Sequence, residues 1–228
     1  EKVSFLEILL EAQTLSVSYG ERTLFTLPRL TIHRGDRIGL VGANGCGKTT
    51  LMQLLAGKAS PDTGSITRLC AVGYAPQFGT GEGRADARDL RVFGVADKDD
   101  SAPLSGGEEV RLRLSRTPFG APLLLLDEPT ANLDLRGKEL FAQRLATQES
   151  FLLISHDRSL LDECCNRIWM LENGSITSYD GNYRDCEAAR ELAKTTQNRA
   201  WEQYTAEKAA LEKNIRGLVE KSASINKT

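Results

Sequence analysis

No apolar run in the 228-residue sequence approaches the ~18 residues that a membrane-spanning helix needs. The opening stretch, Glu1 to Leu10, carries Glu7 inside its apolar run and lacks a signal-peptide cleavage pattern. An excess of positive charge is also missing. The formal net charge is −2, which excludes a chain held to nucleic acid by bulk charge alone but leaves room for a local basic patch. Paired cysteines are not in prospect either. Five occur, Cys46, Cys70, Cys164, Cys165 and Cys186, an odd number without regular spacing. The adjacent Cys164 and Cys165 fit no zinc spacing. All five are expected as reduced thiols of a cytosolic protein. No internal repeat or low-complexity tract is present. What remains is ordinary globular composition, 40% hydrophobic and 26% charged. The length suits one full domain plus an appendage.

Short apolar runs alternate with helical patterns. Ile38–Val41, Leu123–Leu126 (started by Pro122) and Phe151–Ile154 read as strands buried on both faces. Such strands belong to a parallel sheet covered by helices. Ile168–Leu171, the pair Asn173-Gly174 and Ser175–Tyr179 read as a β-hairpin, because Asn-Gly favours the tight turn that matches strand twist. Leu9 to Ile32 reads as a strand-rich antiparallel flank. Gly79 to Gly83 reads as a loop, and Arg84 to Asp100 as a surface segment with one short helix near Asp86–Phe93. From Glu187 to Thr228 there is no proline and one glycine, Gly217, so a long helix is expected. Its seam, Trp201, Tyr204, Lys208, Leu211, Ile215, Leu218, Ser222 and Ile225, steps by three and four as in a coiled coil. Either the helix lies on its own domain, or the seam is exposed for a partner helix. The tail is slightly basic, with eight Lys/Arg against six Asp/Glu from 187 onward.

Three constellations carry chemistry. Gly42-Ala-Asn44-Gly45-Cys46-Gly47-Lys48-Thr49 matches G-x-x-x-x-G-K-[ST], between a strand and a helical run from Thr50 to Ala56. Glycines let the backbone wrap phosphates with N–H groups inward, and the helix N-terminus adds a positive dipole end. Lys48 would bridge β- and γ-phosphate oxygens, and Thr49 would ligate Mg²⁺. Cys46, at a variable position, would make the loop sensitive to thiol reagents. Leu123 to Leu126 runs into Asp127 and Glu128. The first acid can hold the metal through water, and the second can deprotonate an attacking water. Leu104-Ser105-Gly106-Gly107-Glu108 precedes a helical pattern from Glu109 to Arg116, exposing N–H groups at its start.

The order of these elements resembles the ATP-binding-cassette superfamily over residues 10 to about 180. Ser105, Gly106 and Gly107 match its signature motif, 22 residues before Asp127. Tyr19, 23 residues before Gly42, matches the aromatic that stacks on adenine. Gln77 looks like the Q-loop residue that senses Mg²⁺ and the attacking water. Ala131-Asn-Leu-Asp134 looks like the D-loop, and His156 like the switch histidine that contacts the γ-phosphate. The resemblance therefore implies ATP and Mg²⁺ bound by Tyr19, Gly42, Asn44, Gly45, Cys46, Gly47, Lys48, Thr49 and Thr50, with Ser105, Gly106 and Gly107 binding the nucleotide held by a facing cassette. Thr49, Gln77 and Asp127 would serve the metal, and Glu128, His156 and Gln77 catalysis.

Within that superfamily, several phrases resemble the ABC-F group, soluble two-cassette proteins that act on ribosomes. They are His33 to Gly42, Ser155 to Asp162, and Leu171 to Tyr183, the last ending in Gly-Asn-Tyr before a charged helix. The implied fold is α/β: a P-loop cassette at 1–182 with an antiparallel β flank and a short helical subdomain. A linker helix at 183–228 would begin a hairpin between cassettes. Two departures stand out. Ala131-Asn132 replaces the usual Asn-His of the D-loop, and only 28 residues separate Gln77 from Ser105. The second trims the helical subdomain and its inserted arm, as in antibiotic-resistance members that protect ribosomes. No second P-loop follows, so the sequence reads as the N-terminal half of a longer protein. The expected partners are a second cassette (or a second copy) and the ribosome, with no membrane insertion. The alternatives are the energy subunit of a membrane transporter and a non-catalytic ATP-gated binding module.

Overall fold

The computed structural model describes residues 7–20, 22–77, 87–95 and 106–225. Its chain order is β1 (Ile8–Tyr19), β2 (Arg22–His33), β3 (Arg37–Val41), α1 (Lys48–Ala56), β4 (Thr63–Arg68) and β5 (Val72–Ala75). There follow α2 (Ala87–Val92), α3 (Gly106–Ser115), β6 (Leu123–Asp127), α4 (Leu135–Ala146) and β7 (Phe151–Ile154). The last elements are α5 (Arg158–Cys164), β8 (Arg167–Glu172), β9 (Ser175–Asp180) and α6 (Tyr183–Ile225). The strands form two sheets. One is the antiparallel flank, β2-β1-β4, and the other has the order β5-β6-β7-β3-β8-β9. The second sheet is parallel except for β9, which pairs antiparallel to β8.

The apolar runs explain this sheet. Leu123 to Leu126 and Phe151 to Leu153 are fully buried, at about 1.5–3 kcal/mol for each side chain removed from water. Both faces are covered, so an alternating pattern was never needed. The expected hairpin forms around Asn173 (φ 50°) and Gly174 (φ 74°), both left-handed, and the Thr26 N–H donates to the Gly174 carbonyl at 2.9 Å. Strands β4 and β5 lacked a usable pattern: β4 is exposed at five of its six positions, and β5 has four residues.

Two helices start on aspartates that follow strand ends. Asp134 caps α4 by accepting from Gly137 N–H at 2.9 Å, and Asp157 caps α5 by accepting from Leu160 N–H at 3.3 Å. Helix α3 begins at Gly106 rather than at Glu109 as the sequence suggests, so Gly107 lies in its first turn. Ser105, the loop from 79 to 83 and most of 84–100 lie outside the described residues. The short helix expected near 86–93 is α2. Its Asp89, buried, pairs with Arg144 of α4 at 2.5 Å, and the Arg144 guanidinium lies 4.4 Å from the Phe119 ring centre.

The chain divides into two compact units, 1–185 and 186–228. The first contains the opening turn of α6. There the Tyr183 ring lies 5.3 Å from the Arg158 guanidinium, and Arg184 pairs with Asp162 at 2.9 Å. The second is helical, with Leu192, Trp201 and Tyr204 exposed and the last two rings 6.0 Å apart. Seam positions from Leu211 onward lie outside the residues whose side chains are described. No helix among the described residues is long and apolar enough to cross a membrane. All five cysteines are free thiols.

Candidate functional site

Strand register builds the site. In the parallel sheet Ala75 is level with Leu126, and Asp127 with Ile154. Gln77, Asp127, Glu128 and His156 therefore emerge at one edge, the carboxyl ends of the strands, where open α/β sheets bind ligands. Strand β3 ends at the same edge and turns into the loop Gly42–Gly47. A Cβ at position 42 would stand 2.4 Å from the Leu171 carbonyl oxygen, so only glycine lets the loop leave the strand here. Gly47, with φ 106°, starts α1 without a side-chain cap, which leaves the first N–H groups of that helix available to an anion. Lys48 Nζ donates to the Gly42 and Ala43 carbonyls at 2.9 and 3.1 Å, folding its charge over the same loop.

A cleft of about 500 Å³ results. Tyr19, Asn44, Gly45, Gly47, Lys48, Thr49, Thr50, Gln77, Asp127, Glu128 and His156 line it, as the motifs led one to expect. The Tyr19 ring is 67% exposed at its mouth, open to stacking. Leu24 and Ile154 also line it and carry no motif: each is one apolar residue in a strand, without a pattern that would single it out. Gly42 and Cys46 do not line it. Cys46 packs partly buried against the hydrophobic core, so its side chain is a packing group. Among the described residues, Gly107 is likewise not part of the lining.

Positive charge on one wall faces two acids on the other. Asp127 is 1% exposed, yet neither carboxylate oxygen makes a hydrogen bond, although Thr49 and Lys48 are near enough to favour its charged form. Burial dominates and pushes its carboxyl above the usual range. Glu128 follows at φ 46°, a strained left-handed conformation, with its N–H pinned to the Ile154 carbonyl at 3.0 Å. Its Oε1 is buried without a hydrogen bond, 3.4 Å from His156 Nε2. Burial raises this carboxyl as well; the His156 imidazole opposes that rise and Asp127 adds to it. A buried carboxylate with two unsatisfied oxygens beside a threonine hydroxyl suits a hard cation such as Mg²⁺.

This arrangement trades stability for function, and the trade is measurable. A raised native pKa makes ionised Asp127 a destabilising group, most so at pH above that pKa. Asp127→Asn should raise the thermal midpoint at neutral pH, by roughly 0.5–2 kcal/mol of stability. The gain should shrink as pH falls and the wild-type carboxyl takes up its proton. Melting curves across pH would test it. A midpoint lowered by the substitution at neutral pH would contradict the placement of an unpaired charge.

Comparison with known proteins agrees with the geometry. A family model described as "ABC transporter" matches residues 25–71. The Ribosome protection protein VmlR of Bacillus subtilis is 33% identical over 218 residues, 89% of this chain and 39% of that protein. The Energy-dependent translational throttle protein EttA of Haemophilus influenzae is 32% identical over 209 residues, 78% of this chain and 38% of that protein. The chain belongs to the ABC-F family of ATP-binding cassettes. Among solved structures, RNase-L Inhibitor superposes with a TM-score of 0.68 at 28% identity, covering 83% of this chain and 42% of that one. The chain thus spans well under two thirds of the length of these relatives. Cassettes of this family bind ATP with Mg²⁺.

Proposed function

We propose that this cassette binds Mg-ATP in the cleft around Lys48 and hydrolyses it when paired with a second cassette, as the switch of a ribosome-acting protein. The observation that carries the reading is the meeting of Lys48 and an uncapped helix start with the buried carboxylates of Asp127 and Glu128, three of whose oxygens make no hydrogen bond, in one cleft. Lys48 and the N–H groups of α1 hold phosphate charge, and Tyr19 supports the adenine. Thr49, Asp127 and Gln77 would hold Mg²⁺, whose chemistry is to offset charge on the phosphates. Glu128 accepts the proton of the attacking water, and His156 contacts the terminal phosphoryl group. Ser105, Gly106 and Gly107 then serve the ATP of the other cassette. Residues 1–182 would be the switching domain and 183–228 the first part of the linker between cassettes. The ribosome as partner is supported by the likeness to VmlR, a ribosome protection protein, and EttA, a translational throttle protein.

Catalysis of this type is mostly positioning and electrostatics, so an open half-site is slow and closure is the useful event. The complete protein carrying Glu128→Gln should co-sediment with ribosomes in Mg-ATP and largely dissociate without nucleotide. Equal sedimentation with and without nucleotide would remove ATP from the switch. No sedimentation in either condition would remove the ribosome.

A further inference from the structure

We infer that Lys138 is a positioning residue for the switch histidine, acting through Asp157. The importance of His156 itself rests on the function proposed above. His156 is anchored by little of its own: its side chain is 67% exposed, and its nearest charged neighbour is Glu128 at 3.4 Å. Its backbone neighbours are what hold it. On one side, Ser155 is buried, and its Oγ accepts from the Asp157 N–H at 3.0 Å. On the other, Asp157 divides its carboxylate between two duties. Oδ1 caps α5 by accepting from Leu160 N–H, and Oδ2 receives Lys138 Nζ at 2.7 Å.

Lys138 reaches across from the first turn of α4. That turn is fixed by Asp134, which accepts from Gly137 N–H through its side chain and from Lys138 N–H, at 3.0 Å, through its carbonyl. The Lys138–Asp157 bond therefore ties the segment 131–134 to the segment 155–157. Residues 130–133 and 155–158, with Glu128 and Lys138, line a second cleft of about 470 Å³, which shares Glu128 and His156 with the first. A half-exposed ion pair adds little to stability. Its geometric effect is larger: without it, the Asp157 carboxylate serves only as a helix cap, and the tie between the segment beside the imidazole and α4 is lost. No sequence motif marks Lys138, because it stands four residues past the D-loop aspartate in a position read only as helix.

The cassette offers a clean readout, since it has two histidines, His33 and His156. His33 lies beside Asp36 at 3.5 Å and serves as an internal reference. In histidine-selective NMR of the 228-residue chain, Glu128→Gln should displace the His156 imidazole resonances and leave those of His33 in place. In a Lys138→Met background that displacement should fall to about half or less, the mark of lost coupling. Lys138→Arg should retain it. Asp157→Asn, which keeps an acceptor for the α5 cap but loses the charge, should behave like Lys138→Met. Turnover should fall roughly 3- to 10-fold in Lys138→Met with ATP affinity unchanged. An undiminished displacement in Lys138→Met overturns the inference. So does failure of Lys138→Arg to differ from Lys138→Met, or a shift of His33 as large as that of His156. None of the resonance measurements needs nucleotide, so a chain that binds no ATP would sink the proposed function without deciding this point.

Discussion

Replacing Lys48 with alanine should lower ATP affinity roughly 10- to 150-fold, the equivalent of the ~1.5–3 kcal/mol carried by a charge-assisted hydrogen bond. The effect should fall on binding and spare the fold. Lys48 Nζ donates to two loop carbonyls, Gly42 and Ala43, at the rim of an open cleft. Water can replace it there, whereas among the described residues no other ammonium or guanidinium lines the cleft. A triphosphate would thus lose the ammonium that lies over the loop and keep the helix N-terminus and the groups on the opposite wall. Titration of a fluorescent ATP analogue into both chains, with thermal melts alongside, would separate the two effects. Unchanged affinity would remove the phosphate-binding role from this loop. A collapse of the melting midpoint would instead make Lys48 a structural residue.

Much of the site was legible in the sequence because phosphate binding constrains the backbone itself. Gly42, Gly47 and Lys48 stand where chain geometry leaves few alternatives, and the strands beside them are unbroken apolar runs. The buried sheet was readable for the same reason, since Leu123–Leu126 and Phe151–Ile154 can only be covered on both faces. Strands β4 and β5 were not readable. An exposed edge strand such as Thr63–Arg68 owes its conformation to pairing with β1, a long-range contact that leaves no local period. Cleft contacts made by single apolar residues, Leu24 and Ile154, were hidden likewise. The role of Cys46 in the loop was read from its place in the motif. Its side chain follows the local turn instead and goes to the core. The Lys138–Asp157 bond was invisible because its partners are 19 residues apart and meet only after α4 and α5 are capped and packed.

Glutamine at position 128 should stop turnover while sparing binding, a loss of roughly 10²- to 10⁴-fold of the kind general-base removal produces. The substitution is nearly isosteric. It removes a carboxylate whose Oε1 is buried, without a hydrogen bond, at the end of β6. Burial has already raised this carboxyl, which makes it a better proton acceptor than a solvated glutamate. The same shift sets the pH dependence. Below its raised native value Glu128 holds a proton and cannot accept another, so turnover should fall as pH drops through that value. The residual rate of Glu128→Gln should lack this limb. If a second cassette completes the site, as proposed, the wild-type rate per chain should climb with chain concentration as copies pair, and the variant should pair without turning over. Tight ATP binding together with undiminished hydrolysis in Glu128→Gln would mean that the proton leaves by another route. His156, 3.4 Å away, would then be the group to replace next.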